Sequence, residues 1–213
     1  MLRNVLPEGR RTLTAHAFNL IPARYYQPTY RNIAETVTIE TGAFLDVGCG
    51  PGWLCVHVAS GKPELDAIGI DNSQTMIDLA ERNKGPRLNI TYRKMDAAKI
   101  VYPDATFDMA IALQTAHHWE DPAAILAELH RVMKPGGSLF IYEADSDATE
   151  VPDGWVQRQG PWPPDAVVLR GWRRYGMDAA AWDSLKQAVL ASPFGGGQDG
   201  RHGPFRRLVL TRS

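Results

Sequence analysis

The chain has 213 residues with 23 basic and 24 acidic side chains and a net charge of −1. That length excludes a small disulfide- or metal-stapled module, because such a chain buries roughly 70% of its unfolded surface in a core of its own. The balanced charge argues against the basic footprint that binds nucleic acid or an anionic membrane. The two cysteines, Cys49 and Cys55, have neither a disulfide framework nor paired zinc-ligand spacing. They read as small buried thiols of a cytoplasmic protein, with no metal. The first thirty residues are interrupted by Pro7, Arg10, Arg11 and Pro22, so no signal-peptide core is expected. No apolar run approaches the roughly 18 residues of a membrane span.

Along the chain, short apolar runs alternate with helix-period segments. The strand-like runs are "AFLDVG" (43–48), "LDAIGID" (65–71), "NITYRKM" (89–95), "FDMAIAL" (107–113) and "SLFIYEA" (138–144), several of them apolar on both faces. "GWLCVHVAS" succeeds the first as a helix. "SQTMIDLAERN" starts on Ser73 as N-cap and gathers Met76, Ile77, Leu79 and Ala80 on one side. In "DPAAILAELHRVMKPGG", Asp121 caps, Pro122 takes the first helical position, and Pro135, Gly136 and Gly137 are expected to stop the helix. This alternation predicts right-handed crossovers and a doubly wound α/β fold, with a mostly parallel sheet covered on both faces.

Residues 145–176 read as a long irregular segment carrying Trp155, Trp162, Trp172 and Tyr175. Such a segment either closes over a pocket or packs as an excursion along the sheet edge. Its arginines, Arg170, Arg173 and Arg174, suit either an anionic substrate or a solvated face. A helix is predicted over 178–192, with Trp182, Leu185 and Val189 on one side. Gly195 to Gly197 read as a turn between strands, and "PFRRLVLTR" (204–212) as a closing strand. There is no internal repeat.

The glycine loop "FLDVGCGPGW" (44–53) joins the first strand to the first helix, where open α/β sheets bind ligands. It is not a P-loop, since no Gly-Lys-Ser/Thr comes after it. It is a poor dinucleotide loop, because Pro51 deletes an amide donor and Trp53 stands where the third, close-packing glycine belongs. A phosphate-free nucleoside suits it better. Asp46, Asp71 and Asp96 recur every 25 residues and read as lying at successive strand ends, Asp96 ending the third strand. At the second of these positions a carboxylate can take both ribose hydroxyls, and at the third it lies over the base. Met76 is placed to pack on a face of that base.

From residue 24 to 145 these motifs, in this order, resemble the class I S-adenosylmethionine-dependent methyltransferases, specifically the small enzymes grouped with quinone-biosynthesis methyltransferases. "LDVGCGPG" corresponds to the first motif, "IGID" to the second, "MDAAKIVYPDATFDMAIA" to the third and fourth, and "HHWEDPAAILAELHRVMKPGGSLFIYE" to the family's segment after the fourth strand. The resemblance implies a Rossmann-like sheet of seven strands with an antiparallel last strand. It implies a single domain: a helical cap over the cofactor (1–40), a cofactor core (41–144), a substrate-facing segment (145–177), and a last helix with closing strands (178–213). It implies that Gly48, Cys49 and Gly50, above Asp46, approach the methionine part and ribose. Asp71 would hold the ribose hydroxyls, with Asn72 and Met76 along the adenine. Asp96 and the Ala97 amide would read the adenine, and Gln114 would sit beside the methionine amine. Tyr26, or its neighbours Tyr25 and Tyr30, would cover the cofactor.

The implied chemistry is in-line transfer of the sulfonium methyl group, leaving S-adenosylhomocysteine. Alignment alone contributes as much as roughly 7–11 kcal/mol in favourable cases, so a base is optional. His117 and His118 are the best-placed candidates, set against a packing role under the cofactor; Glu143 and Asp145 are weaker ones. His16, His57, His130 and His202 have no ligand spacing. The absence of an Asn/Asp-Pro-Pro-Tyr tetrapeptide after the fourth strand disfavours nucleic-acid adenine as acceptor, and two cysteines are too few for arsenic methylation. A small-molecule acceptor remains. The alternative is a non-catalytic regulator or scaffold that keeps the fold; a dehydrogenase is a distant third.

Overall fold

The computed structural model describes residues 22–158, 160 and 162–213; His16 lies outside them. Seven strands form one sheet: β1 (Gly42–Val47), β2 (Leu65–Asp71), β3 (Ile90–Lys94), β4 (Phe107–Leu113), β5 (Met133–Ala144), β6 (Gln198–His202) and β7 (Phe205–Thr211). Their spatial order is β3-β2-β1-β4-β5-β7-β6. The first five run parallel, and β7 is antiparallel to both of its neighbours. The chain winds outward from β1 through β2 to β3, then returns beside β1 as β4. The switch point therefore falls between β1 and β4, where Phe44 pairs with Met109 and Val47 with Ala112.

Alternation along the strands sorts the core into two layers. Phe44, Ala67, Tyr92, Met109, Ile111 and Tyr142 belong to one cluster, which also takes Ile33 from α2 (Gln27–Ala34), Leu54 and Val58 from α3 (Trp53–Val58), and Ile77 from α4 (Gln74–Asn83). Leu45, Val47, Ile70, Ala110, Leu139 and Ile141 belong to the other, with Leu126 and Leu129 of α5 (Pro122–Val132). A four-residue helix, α1 (Pro22–Tyr25), precedes α2. Ser73 Oγ accepts from the Met76 amide and Asp121 Oδ1 from the Ala124 amide, so both expected N-caps form. Met76 lies half-buried at the rim, whereas Ile77, Leu79 and Ala80 are buried.

Three expectations are corrected. Helix α5 stops at Val132, before Pro135, because the Ala105 and Thr106 amides take the Arg131 and Val132 carbonyls and Met133 already pairs with Phe107. A register shift then absorbs the Pro135–Gly137 stretch, and β5 continues to Ala144. Within the segment read as irregular, α6 (Asp165–Tyr175) forms. Its buried stripe is short, Val168 and Trp172 at i and i+4, and Gly171 and three outward arginines obscure it in the sequence. Strand β6 reads "QDGRH"; as a mostly exposed edge strand it carries no apolar alternation to reveal it. Helix α7 (Ala179–Ala191) buries Trp182, Leu185 and Val189 on the second layer as expected.

Helices α1 and α2 are fastened to the segment after β5. Thr29 Oγ1 donates to the Trp155 carbonyl at 2.5 Å, Asn32 Nδ2 to the Gly154 carbonyl at 3.2 Å, and the Gln157 amide to the Tyr25 carbonyl at 2.7 Å. Among the described residues, no helix is long and apolar enough to cross a membrane.

Candidate functional site

The C-terminal ends of β1, β2, β4 and β5 converge on the glycine loop. Gly48, Gly50 and Gly52 all have positive φ, at 69°, 51° and 80°, conformations that cost other residues about 1–2 kcal/mol each. They differ in surroundings. A Cβ at Gly48 would sit 2.2 Å from Thr115 Oγ1, and one at Gly52 2.4 Å from Tyr92 Oη and 2.8 Å from the Ala80 Cβ, whereas one at Gly50 meets nothing within 4 Å. The backbone at Gly50 thus borders open space between two tightly packed glycines. The close-packing glycine is Gly52, so Trp53 does not take that role; it opens α3 immediately after.

Asp71 ends β2 and closes the loop from the side. Its Oδ2 accepts from the Gly50 amide at 3.0 Å and its Oδ1 from the Ser73 amide at 2.8 Å. Burial raises its carboxyl above the ordinary range, against the two amides, which lower it. Asp46 lies deeper, 2% exposed, with the Cys55 thiol donating at 3.6 Å. Burial pushes its carboxyl up to about 7; the charge of Asp71 adds to this and the Cys55 hydrogen bond opposes it. Both thiols are free and buried, and burial next to these acids holds them well above the usual range. Tyr92 Oη donates to the Gly52 carbonyl at 2.7 Å, and Asn83 Nδ2 to the Pro51 carbonyl at 2.8 Å.

The other residues singled out from the sequence divide. Asn72 is exposed beside Asp71. Asp96 lies two residues beyond β3, exposed, its Oδ1 accepting from the Ala98 amide at 2.9 Å; Ala97 comes next, partly buried against the second layer. Gln114, at φ 54°, is drawn into the sheet ends: its amide donates to the Tyr142 carbonyl at 2.8 Å and its Oε1 accepts from the Ala144 amide at 2.9 Å. Tyr25, Tyr26 and Tyr30 pack partly buried against the first layer. Burial raises the Tyr26 phenol, with Trp172 opposing, and burial together with the charge of Asp46 raises Tyr30.

After β4, a 3-10 turn (Ala116–His118) carries both histidines. His117 is largely covered and makes two hydrogen bonds to the fully buried Glu143 of β5, from its amide to Oε1 at 3.2 Å and through Nδ1 to Oε2 at 2.8 Å. His118 is exposed, its ring centroid 3.9 Å from that of His117. Asp145 is bound instead by Arg201 and Arg206. The remaining described histidines sit elsewhere: His57 on Gln27, His130 against Phe194, His202 on the Asn32 carbonyl. On α6, Arg170, Arg173 and Arg174 are exposed and Trp172 turns inward. Sequence reasoning passed over Thr115 and Tyr92, which seat the loop. Neither is adjacent to it in sequence, and only the alternation that buries Tyr92 on β3 hinted at either.

The methyltransferase-domain family matches residues 45–141. An uncharacterized methyltransferase of Schizosaccharomyces pombe is 40% identical over 114 residues, half of this chain and 41% of that protein. The demethylmenaquinone methyltransferase of Deinococcus radiodurans is 30% identical over 164 residues, covering 75% of this chain and 65% of that protein. The chain thus spans between about two fifths and two thirds of the length of these relatives. A Methanococcus maripaludis protein shares the fold over the whole chain and 97% of its own, at TM-score 0.77 and 18% identity. A SAM-dependent methyltransferase from Aquifex aeolicus does so over 98% and 100%, at 0.64 and 20%. Residues 45–141 thus match the methyltransferase-domain family, and the whole chain shares the fold of these S-adenosylmethionine-dependent methyltransferases of known structure.

Proposed function

We propose that this chain binds S-adenosylmethionine on the Gly48–Gly50 loop and transfers its methyl group to a small molecule. The observation that carries the reading is the open space at Gly50, bordered by the half-buried Asp71 carboxylate and set between two packed glycines. The group fits the residues present. Its ribose diol needs an acceptor next to a backbone without side chains, and Asp71, with two amides already bound, retains lone pairs for it. Its cationic methionine part gains from the Asp71 carboxylate beside the loop. Asn72 and Met76 would line the adenine, Asp96 and the Ala97 amide would read its edge, Gln114 would border the amino-acid tail, and Tyr26 would cover it from α1 and α2.

When bound, the cofactor supplies an activated methyl group for in-line displacement, leaving S-adenosylhomocysteine. The protein's own contribution is then placement and exclusion of water. Residues 145–177, tied to α2 through Thr29 and Asn32, would shape the acceptor side. The relative named a demethylmenaquinone methyltransferase supports a small-molecule acceptor, and the two buried, unpaired thiols support a cytoplasmic setting. Calorimetric titration with S-adenosylhomocysteine tests the reading: saturable binding is expected in the native chain and at least tenfold weaker binding in Asp71→Ala. No heat at millimolar ligand overturns it.

A further inference from the structure

Among the described residues, Glu143 has no lysine or arginine ion pair; its charge partner is His117 alone. It stands on β5 in the alternation that continues Leu139 and Ile141, both fully buried in the second layer. An apolar side chain at such a position would serve packing at least as well, since a lone buried carboxylate is costly and a buried ion pair is weak evidence for stability. Here both oxygens point to one residue: Oε1 takes the His117 amide at 3.2 Å and Oε2 meets Nδ1 at 2.8 Å. The first bond fixes the turn and the second fixes the ring.

The turn is itself seated on the cofactor loop. Thr115, two residues before His117, fills the space in front of Gly48, and Gln114 ties the end of β4 to the end of β5. His117 is therefore anchored beside the loop by two strands and a glycine contact. In a neutral imidazole, a carboxylate that receives Nδ1–H selects the tautomer whose Nε2 lone pair is free, and it stabilises the imidazolium that forms when Nε2 takes a proton.

Building on the methyl-transfer reading, we infer that His117 is the base that takes the acceptor's proton, that Glu143 is its positioning residue, and that the acceptor is a hydroxyl compound. A neutral amine attacks with a free lone pair and sheds its proton afterwards, and a thiol ionises readily; a hydroxyl gains most from a base at the moment of attack. The acceptor oxygen's lone pair forms the bond to the methyl carbon as the carbon–sulfur bond breaks, its electron pair remaining on sulfur. The hydroxyl proton passes to His117 Nε2 and from there to solvent.

The test uses the full chain labelled with 15N-histidine, without acceptor, alongside methyl transfer from labelled S-adenosylmethionine to phenols, catechols and hydroquinones and, in parallel, to aromatic amines and thiols. Long-range 1H–15N spectra are expected to show His117 protonated on Nδ1 and bare on Nε2, with that preference lost in Glu143→Gln. In His117→Gln, kcat is expected to fall at least about a hundredfold, with S-adenosylhomocysteine affinity within about twofold of native. An Nε2-protonated ring in the native chain, undiminished kcat in His117→Gln, or transfer only to amines or thiols overturns the inference. Loss of S-adenosylhomocysteine binding by the native chain would overturn the broader reading instead, and the ring spectrum would still judge the Glu143–His117 pair.

Discussion

Asp71 and Gly50, 21 residues apart, are joined by a 3.0 Å hydrogen bond from the Gly50 amide to the Asp71 carboxylate, so the acid that ends β2 also sets the loop after β1. The same carboxylate holds the Ser73 amide at 2.8 Å, which fixes the entry to α4. One side chain thus aligns a loop and a helix start around the open space at Gly50.

Removing that carboxylate should therefore weaken the fold as well as ligand binding. A hydrogen bond to a charged group is worth about 1.5–3 kcal/mol, and Asp71→Ala leaves two amides without their acceptor. We expect a loss of about 2–4 kcal/mol in urea-monitored unfolding without ligand, in addition to the weakened S-adenosylhomocysteine binding. Asp71→Asn, which keeps an acceptor oxygen for one amide, should fall between the two.

The three glycines of the loop should respond differently to alanine. At Gly50 there is room for a methyl group, so Gly50→Ala should cost only the about 1–2 kcal/mol of its left-handed backbone while obstructing the ligand. Gly52→Ala drives a Cβ to 2.4 Å from Tyr92 Oη and 2.8 Å from the Ala80 side chain at φ 80°, and should prevent stable folding or cost well above about 3 kcal/mol. Paired melting curves and S-adenosylhomocysteine titrations separate the cases: equal stability losses in the two variants would refute the packing account.

Asp46 predicts a stability slope with pH. Burial pushes its carboxyl up to about 7, against 3.8 for an ordinary one, so between these values the native state holds a proton that the unfolded chain releases. Its contribution is complete below the unfolded value and is lost as pH rises through about 7. Asp46→Asn removes it. Relative to that variant, the native chain should lose about 3 kcal/mol of unfolding free energy between about pH 5 and pH 8, measured by denaturant titration without ligand. Parallel curves for the two proteins would rule the account out.

The far end of β5 predicts the opposite slope. Burial works to raise the Asp145 carboxyl, but it is outweighed by the Arg201 hydrogen bond, the Asp147 amide and Arg206, and the carboxyl ends below the ordinary range. Its contribution is present above the unfolded value and lost as pH falls through the native one. Arg206 lies 2.7 Å from Asp145 and is itself largely buried. Arg206→Ala should cost about 3 kcal/mol at neutral pH and move the acid-unfolding midpoint, followed by circular dichroism, to higher pH.

Much of the chain up to Ala144 is legible in the sequence because each element there is locally encoded. The strands from "AFLDVG" to "FDMAIAL" are apolar runs bounded by turn residues, and Ser73 and Asp121 announce helix starts that form where expected. What is not legible lacks a local signal. Helix α6 buries only Val168 and Trp172 and is held by what lies against it, including Phe205 beside Trp172. Strand β6 is polar and belongs to the sheet only because β7 offers an edge. Glycine content pointed to the loop but misassigned its packing glycine, because the neighbours that crowd Gly52, Tyr92 and Ala80, come from β3 and α4.

The sequence by itself determined the alternating α/β order, the glycine turn after the first strand and the recurrence of acids every 25 residues, since periodicity and spacing along one segment suffice for these. Only the tertiary structure decided which acid meets which partner: Asp71 with Gly50, Asp145 with Arg201 and Arg206, and Glu143 with His117. Those pairings depend on the register between strands and on how far each side chain is removed from water, quantities set by the whole sheet and not by any stretch of the chain.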